Sequence, residues 1–543
     1  MKKLLTLTLL ACQLTLHAQQ PILGGELSNS AATSIEDIDR VMPRMRALGL
    51  NTVLVPVYWE LTEPEEGRFD FSLVDRLLTA AREQQLRVVV LWFGAWKNSM
   101  SCYAPGWFKT DTRRFPRAMT AGGRQLEMAS VFSRQVLEAD LKAFSALMRH
   151  LADRDRGHGT VAMVQIENEV GMLESARDHS PAADSAYRQP MPAAISKICA
   201  VEAGTTWEQA YGDDPYGQER FMAYHYARYI EQLAKAARAV SDVPLYVNAA
   251  MNSRGRKPGE YPSAGPLAHL YPIWHTAAPT LDLLAPDIYD TGYRQWAAQY
   301  DLPGNPLFVP ESRCCENSGV RALYTFGEHH AVGFSPFAID QASETGTRSV
   351  TEAYRLLRQL YANADVRSAL SPQPADRRRS WGFLFDQEDK ERSVADAPDS
   401  VVITARHYYT LPWYPRASDG STWPEGGALL VRLARYDYLL AGSGIVVDFK
   451  TPGELSVDEA RQLGEDGFTL AATAAGRQQP AAGRTTSPAV TRLGLLSVDE
   501  VSVGPDGDIR YLRRHNGDQT HQGRHARIAV GEWKILHIRL YSY

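Results

Sequence analysis

Val164-Gln165-Ile166-Glu167-Asn168-Glu169 is an apolar and β-branched run that ends in a glutamate. Leu307-Phe308-Val309-Pro310-Glu311 repeats this pattern 142 residues later (311 − 169). Runs of this kind are typical of parallel strands that are buried on both faces. Polar residues at the carboxyl ends of barrel strands are the usual place for catalytic groups. The two stretches therefore predict barrel strands that each carry a carboxylate to the rim.

Strand-like and helix-like segments alternate from residue 21 to about residue 365. The predicted strands are Ile22–Leu23, Thr52–Val57, Arg87–Phe93, Val161–Ile166, Leu245–Asn248, Leu281–Tyr289, Leu307–Val309 and Val332–Ala338. Eight such units in order predict an α/β fold, a (β/α)8 TIM barrel. A doubly wound sheet is the alternative, and it usually has a glycine-rich phosphate loop after an early strand. Gly24-Gly25 does not continue into that fingerprint.

The character of the sequence changes after Ala369. A stretch rich in proline, Ser371 to Asp376, is followed by short alternating segments separated by turn residues. This pattern predicts a C-terminal all-β, sandwich-like domain. The predicted domains are a signal peptide at 1–18, a catalytic barrel at 20–368 and an accessory β domain at 380–543.

The N-terminus has the pattern of an export signal. Lys2 and Lys3 precede the apolar stretch Leu4 to Leu16, and cleavage is expected after Ala18. Leu9-Leu10-Ala11-Cys12 also resembles a lipobox, which would leave Cys12 lipidated. We therefore expect an exported protein that is periplasmic, an outer-membrane lipoprotein or extracellular. No other segment is apolar enough to span a bilayer.

Composition excludes some classes of partner. The chain has 543 residues, a net charge of −5 and a sequence pI of about 6.3, so it offers no basic face for nucleic acid. The spacing of its cysteines and histidines resembles no metal site, and no cofactor is expected. The 11 Trp and 25 Tyr supply rings that can stack on sugars. A carbohydrate is therefore the expected partner.

Two carboxylates on different strands can cleave a glycosidic bond. With a separation of about 5–5.5 Å, one acts as the acid/base and the other as the nucleophile of a retaining mechanism. Glu169 would then need a raised pKa, while Glu311 would have to stay ionised. Tyr289, at the end of the sixth strand, could hydrogen-bond Glu311.

Several motifs together resemble clan A glycoside hydrolases, most closely the family 35 β-galactosidases. They are Gly24 to Ser30, Trp59 to Phe71, and Gln165 to Glu169. The resemblance implies that Glu169 is the acid/base, that Glu311 is the nucleophile and that Asn168 contacts the sugar 2-hydroxyl. It places Glu26 and Trp59 among the substrate-binding residues.

The chain departs from that family at two places. Tyr58-Trp59-Glu60 stands where many members have Pro-Trp-Asn, and Lys97-Asn98-Ser99 stands where they have a Cys-x-Glu sugar clamp. Lys97 and Asn98 still offer hydrogen-bond donors to sugar hydroxyls. The sugar is therefore less tightly specified than the reaction.

These patterns predict a retaining exo-β-galactosidase, with plant hemicellulose such as xyloglucan as a candidate substrate. One alternative is a related β-glycosidase that takes glucose, xylose or arabinopyranose. Another is a non-catalytic carbohydrate-binding surface protein, against which the intact pair of glutamates argues. The sequence leaves the linkage, the oligomeric state and the disulfide pairing open.

Overall fold

The computed structural model describes residues 20–372, 377–411, 413–414, 422–461 and 490–543. The predicted signal peptide, with Cys12, lies outside the described residues. The described chain forms two compact units. The first comprises residues 20–314 and 331–343, and the second comprises residues 315–330 and 344–543.

The first unit contains a closed barrel of eight parallel strands, as predicted. The strands, in order, are Ile22–Leu23, Thr52–Tyr58, Arg87–Lys97, Val161–Asn168, Leu245–Ala250, Leu283–Ile288, Phe308–Val309 continued by Glu311–Ser312, and Gly333–Phe334. Each strand pairs in parallel with the next from the second to the eighth, and the eighth pairs with the first. A parallel bridge between Glu26 and Leu54 joins the first strand to the second and closes the ring.

Helices and one short hairpin complete the first unit. The helices are Ile35–Ala47, Trp59–Thr62, Ser72–Glu83, Gly106–Thr110, Arg134–Arg154, Pro181–Tyr187, Ala193–Ile198, Trp207–Tyr211, Pro215–Arg238, Ala268–Leu270, Tyr271–Ala277 and Tyr293–Tyr300. Strands Arg117–Met119 and Gln125–Ala129 pair antiparallel. Ser34 caps the first helix by accepting a hydrogen bond from the amide of Asp37 at 3.1 Å.

The fourth strand ends where the backbone turns out of the extended conformation. All but the first of its residues are buried, as expected for a strand covered on both faces. Glu167 and Glu169 have φ values of 60° and 44°, in the left-handed region that few non-glycine residues adopt. Such conformations cluster at functional sites. Here they leave Asn168 and Glu169 at the mouth of the barrel.

The second unit is built from two antiparallel sheets. One has six strands in the order Ser380–Phe385, Gly426–Ala434, Asp437–Ser443, Lys534–Ser542, Leu493–Val503 and Ile509–His515. The other has four strands in the order Glu391–Asp396, Val401–His407, Ile445–Lys450 and His525–Ile528. Apolar residues of both sheets share one core, including Phe383 and Tyr438 from the larger sheet and Ile403 and Val447 from the smaller. This arrangement is the predicted sandwich.

In the part of this unit that the structure describes, four α-helices accompany the sheets: Ser318–His329, Glu344–Ala362, Ala364–Ala369 and Pro452–Arg461. The first of them packs on strands Ser380–Phe385 and Gly426–Ala434. For this reason the units differ from the predicted domains at 20–368 and 380–543, which assigned the helices at 318–329 and 344–362 to the barrel. Among the described residues, no helix has both the length and the apolar character needed to cross a bilayer.

Candidate active site

Glu311 lies at the end of the seventh strand and is held by three hydrogen-bond donors. The amide nitrogens of Asn168 and Asn248 donate to its Oε1 at 3.3 and 3.2 Å. The hydroxyl of Tyr289 donates to its Oε2 at 2.5 Å. The side chain is only 3% exposed, so these donors replace the water that an ionised carboxylate would otherwise bind. Both oxygens of Glu311 are therefore fixed in position by donors from three different strand ends.

Glu169 lies near Glu311 but has different hydrogen-bond partners. Its Oε2 accepts a hydrogen bond from the side-chain amide of Asn98. Burial, and then the carboxylate of Glu311, raise the pKa of Glu169 to about 7, against the lowering influence of Lys97, Asp287 and Asn98. Glu169 can therefore carry a proton near neutral pH, which is what a general acid requires.

The two glutamates and a third acid, Asp287, form one cluster. Each offers a carboxylate oxygen that lies within 4.8 Å of the oxygens offered by the other two. Glu169, Asp287 and Glu311 therefore lie together at the mouth of the barrel.

Lys97 and Glu26 lie beside this cluster, as predicted for site residues. Lys97 is 5% exposed, and burial alone would lower its pKa. The carboxylates of Glu311, Glu169, Glu26 and Asp287 reverse that effect and raise the pKa of Lys97. Burial, and next Glu311, raise the pKa of Glu26 well above its ordinary value. The lysine thus supplies positive charge to a pocket crowded with acids.

Glu167 supports the turn that presents Lys97 and Asn98. Its buried carboxyl accepts hydrogen bonds from the amides of Ala95 and Trp96 at 3.1 and 2.7 Å. The third strand therefore continues to Lys97, four residues beyond its predicted end (97 − 93). Lys97 pairs in register with Asn168, which brings the turn beside Glu169.

Two residues of the site, Asn248 and Asp287, were not among the predicted site residues. The Nδ2 of Asn248 donates to Asp287 at 2.7 Å as well as to Glu311, and its Oδ1 accepts from the backbone amide of Glu169 at 3.0 Å. Asp287 lies opposite Glu311 in the pairing of strands six and seven. Each is a polar residue near the carboxyl end of a predicted barrel strand, and this position could have identified both from the sequence.

Trp59 does not lie in this cluster, contrary to its prediction as a substrate-binding residue. Its side chain is fully buried and packs against Trp92, Trp107 and Phe108. Its indole N–H donates to Glu63 at 2.8 Å. The strand ends at Tyr58 and a short helix begins at Trp59, which directs the ring into the core rather than toward the acids.

A cavity of about 370 Å³ opens beside the acids. Glu169, Asp287 and Tyr289 contribute to its wall. Most of the rest of its lining comes from the ends of the fifth and sixth strands and the segments that follow them, including Trp296, and Leu173 comes from the segment after the fourth strand. Its volume is at the lower end of the range for small-ligand pockets.

The acid cluster is bordered by hydrogen-bond donors and by Lys97. Within the described ranges, Glu169, Asp287 and Glu311 are the one group of three such residues close enough to share an ion. Both oxygens of Glu311 accept hydrogen bonds from N–H or O–H donors, and Lys97 supplies the positive charge.

Family models match two parts of the chain. Residues 30–214 match the family 42 glycoside hydrolase model, described as beta-galactosidase, and residues 350–527 match a domain of unknown function, DUF5597. Family 35 is not supported by these matches, and family 42 fits instead. The Asn168-Glu169 and Glu311 pattern is common to clan A, so it does not separate the clan's families.

Curated beta-galactosidases also match part of the chain. A beta-galactosidase of Xanthomonas manihotis is 32% identical over 158 residues, covering 26% of this chain and 22% of the relative. A beta-galactosidase of Thermus thermophilus is 28% identical over 178 residues, covering 31% of this chain and 26% of the relative. The chain thus spans about a quarter of the length of the curated relatives that it matches.

Among solved structures, a family 42 beta-galactosidase from G. stearothermophilus aligns with a TM-score of 0.47 and 16% identity. That alignment covers 66% of this chain and 58% of the other. Over residues 30–214 the chain is therefore similar to the family 42 glycoside hydrolases, and two glutamates lie together at the mouth of its barrel.

Proposed function

We propose that the protein is a retaining exo-β-galactosidase that removes terminal β-galactosyl residues from oligosaccharides or polysaccharides. The observation that carries this proposal is the pair Glu169 and Glu311, which are close together but differently surrounded. Glu311 accepts three hydrogen bonds that favour its charge, whereas burial raises the pKa of Glu169 to about 7. The double-displacement mechanism requires two carboxyl groups, one of which is protonated while the other is ionised.

In this mechanism Glu311 attacks the anomeric carbon while Glu169 donates its proton to the leaving oxygen. The glycosidic C–O bond breaks and a glycosyl ester forms on Glu311. Glu169, now ionised, takes a proton from water as the water oxygen bonds to the anomeric carbon and the ester bond breaks. Asn168, which donates to Glu311 at 3.3 Å, lies where it can also contact the sugar 2-hydroxyl.

Unpartnered polar atoms around the acids support a neutral, hydroxyl-rich substrate. Within the described residues, the buried atoms that lack a hydrogen-bond partner include both carboxylate oxygens of Glu26, Oδ1 of Asn168 and the hydroxyl of Tyr246. Buried polar groups normally have partners. Sugar hydroxyls can donate to these oxygens, whereas a sugar carboxylate would meet several acids at close range.

The proposal predicts hydrolysis of p-nitrophenyl β-D-galactoside by the purified protein. Initial rates should be compared with those for the β-glucoside, the β-xyloside and the α-L-arabinopyranoside. Xyloglucan oligosaccharides should release galactose alone, without shorter backbone fragments, if the enzyme acts from chain ends. Turnover confined to another glycone would replace galactose in the proposal. Binding of galactosides without turnover of any member of the panel would favour a carbohydrate-binding protein.

Tyr289→Phe should lower kcat/KM about tenfold to a hundredfold. The change removes the hydroxyl that donates to Glu311 at 2.5 Å, and hydrogen bonds to charged groups contribute about 1.5–3 kcal/mol. Steady-state kinetics on the aryl galactoside would measure the effect. Tyr216→Phe is the control, because that side chain is 51% exposed. Equal activity of the two variants would show that the phenol does not act on the nucleophile.

An exported location is part of the same proposal, since polymeric galactosides are extracellular substrates. Fractionation of the native host, with detection of the protein by antibody, would test it. The protein is expected in the periplasm, in the outer membrane or in the medium. Recovery with cytoplasmic proteins would contradict it.

A further inference from the structure

Asp287 has no part in the two steps described above, yet it lies against both glutamates. Its side chain is 2% exposed, and its carboxylate is within 4.8 Å of those of Glu169 and Glu311. Three ionised carboxylates so close together and so far from water would repel one another strongly. Even when Glu169 carries a proton, the carboxylates of Glu311 and Asp287 would still repel one another, and a second proton would relieve that repulsion.

The hydrogen bonds identify which acid stays neutral. Glu311 accepts three donors and is the best supported anion of the cluster. Asp287 accepts one hydrogen bond, from Asn248 to its Oδ2 at 2.7 Å, and its Oδ1 has no partner. A protonated carboxyl has one O–H donor, and Oδ1 is the free position for it. Glu169 offers an acceptor within reach of that proton.

Seven titratable side chains interact electrostatically with Asp287. They are Glu26, Lys97, Glu169, Tyr246, Tyr289, Tyr300 and Glu311. Burial, and then the carboxylates of Glu311, Glu169 and Glu26, raise the pKa of Asp287 well above its ordinary value. Lys97 is the cation among these groups, and it is shared among four acids.

Building on the proposed function, we propose that Asp287 is a positioning residue that remains neutral through the reaction and donates its Oδ1 proton as a hydrogen bond to Glu169. When Glu169 gives its proton to the leaving oxygen, the new carboxylate receives the hydrogen bond from Asp287. When Glu169 later takes a proton from water, that hydrogen bond is released. The proton of Asp287 is not transferred at any step, so the reaction stays balanced.

The proposal explains how one carboxyl can serve as acid and then as base inside a buried cluster. Burial alone would hold Glu169 in its protonated form and slow the second step. A neutral donor beside it stabilises the ionised form without adding charge. Asn248 fixes the geometry, because it binds Asp287, Glu311 and the backbone of Glu169 together.

Asp287→Asn and Asp287→Ala test this role against its rivals. The amide of asparagine mimics a neutral carboxyl: its oxygen can accept from Asn248 and its nitrogen can donate to Glu169. We expect Asp287→Asn to keep kcat within about threefold of the parent and to keep the basic limb of the kcat–pH profile near 7. Asp287→Ala should lower kcat about tenfold or more and move that limb up by about one pH unit.

Three outcomes would overturn the proposal. A basic limb that moves to lower pH in Asp287→Asn would mean that Asp287 is normally ionised. A rise of KM in both variants, with unchanged kcat and pH profile, would mean that Asp287 only binds the sugar. Equal losses in both variants, with matched thermal unfolding, would exclude rescue by a neutral donor. Asp153→Asn is the control, since its side chain is 71% exposed and lies outside that cavity.

A spectroscopic measurement separates this inference from the proposed function. Infrared difference spectra of the parent and Asp287→Asn at neutral pH should show the loss of one protonated carboxyl band in the variant. That result is expected even if no tested glycoside is hydrolysed, in which case only the proposed activity would fail. The absence of that band in a parent that does hydrolyse galactosides would reject the neutral Asp287 and leave the activity standing.

Discussion

Glu311→Ala should lower kcat for p-nitrophenyl β-D-galactoside by more than about 10⁴-fold. The substitution removes the atom that forms the glycosyl ester and leaves Asn168, Asn248 and Tyr289 as donors without their acceptor. No neighbouring acid can replace it, because burial raises the pKa values of Glu169 and Asp287 and so favours their protonated forms. Single-turnover and steady-state measurements on the purified variant would establish the loss.

Chemical rescue distinguishes loss of a nucleophile from loss of the fold. Azide added to Glu311→Gly should restore turnover and yield the α-galactosyl azide, since the small anion attacks from the face that Glu311 vacates. Glu316→Ala, an exposed position five residues further on (316 − 311), should behave like the parent. Rescue that yields free galactose without the azide adduct would contradict the assignment of Glu311.

Glu169→Ala should separate substrates by the quality of their leaving groups. An alkyl or sugar leaving group needs a proton as the bond breaks, so its kcat/KM should fall about 10²- to 10⁴-fold. A dinitrophenyl galactoside leaves without that help, and its kcat/KM should fall much less. Comparing the two substrates in the same preparation measures the acid role directly.

The pH dependence of activity provides a second test of the acid role of Glu169. Because the acid must be protonated, activity of the parent on poor leaving groups should fall as pH rises through about 7, the pKa to which burial raises Glu169. That limb should disappear in Glu169→Ala assayed on the activated substrate. Glu174→Ala, with a side chain 47% exposed, is the control. Equal losses for good and poor leaving groups, or an unchanged basic limb, would reject the role.

The barrel and the positions of Glu169 and Glu311 at the ends of its strands were predictable because they depend on local patterns. Runs such as Val161–Ile166 are buried on both faces. Strands of this kind have continuous apolar sequences, which can be recognised without a structure. A glutamate at the end of such a run is expected at the rim of the barrel. The eight-strand barrel and the sandwich that follows it were confirmed on this basis.

The remaining parts of the site depend on contacts between distant segments. Asp287 and Asn248 are ordinary polar residues in the sequence, and only the register of strands five, six and seven brings them together with Glu311. Trp59 belongs to a recognisable motif, but the turn from strand to helix sends its ring into the core. Family 35 was predicted from motifs common to the clan, which carry little information about the family.

The crowding of acids at the barrel mouth also affects folding stability. Glu26, Glu167, Glu169 and Asp287 all have pKa values raised by burial. The folded protein therefore keeps protons that the unfolded chain has already released, and the free energy of unfolding decreases as pH rises through this interval. For Glu169 the decrease runs from about pH 4 to about pH 7. Selection for heat resistance at neutral pH would thus act against the same carboxyls that the chemistry needs, whereas a mildly acidic habitat would relax that conflict.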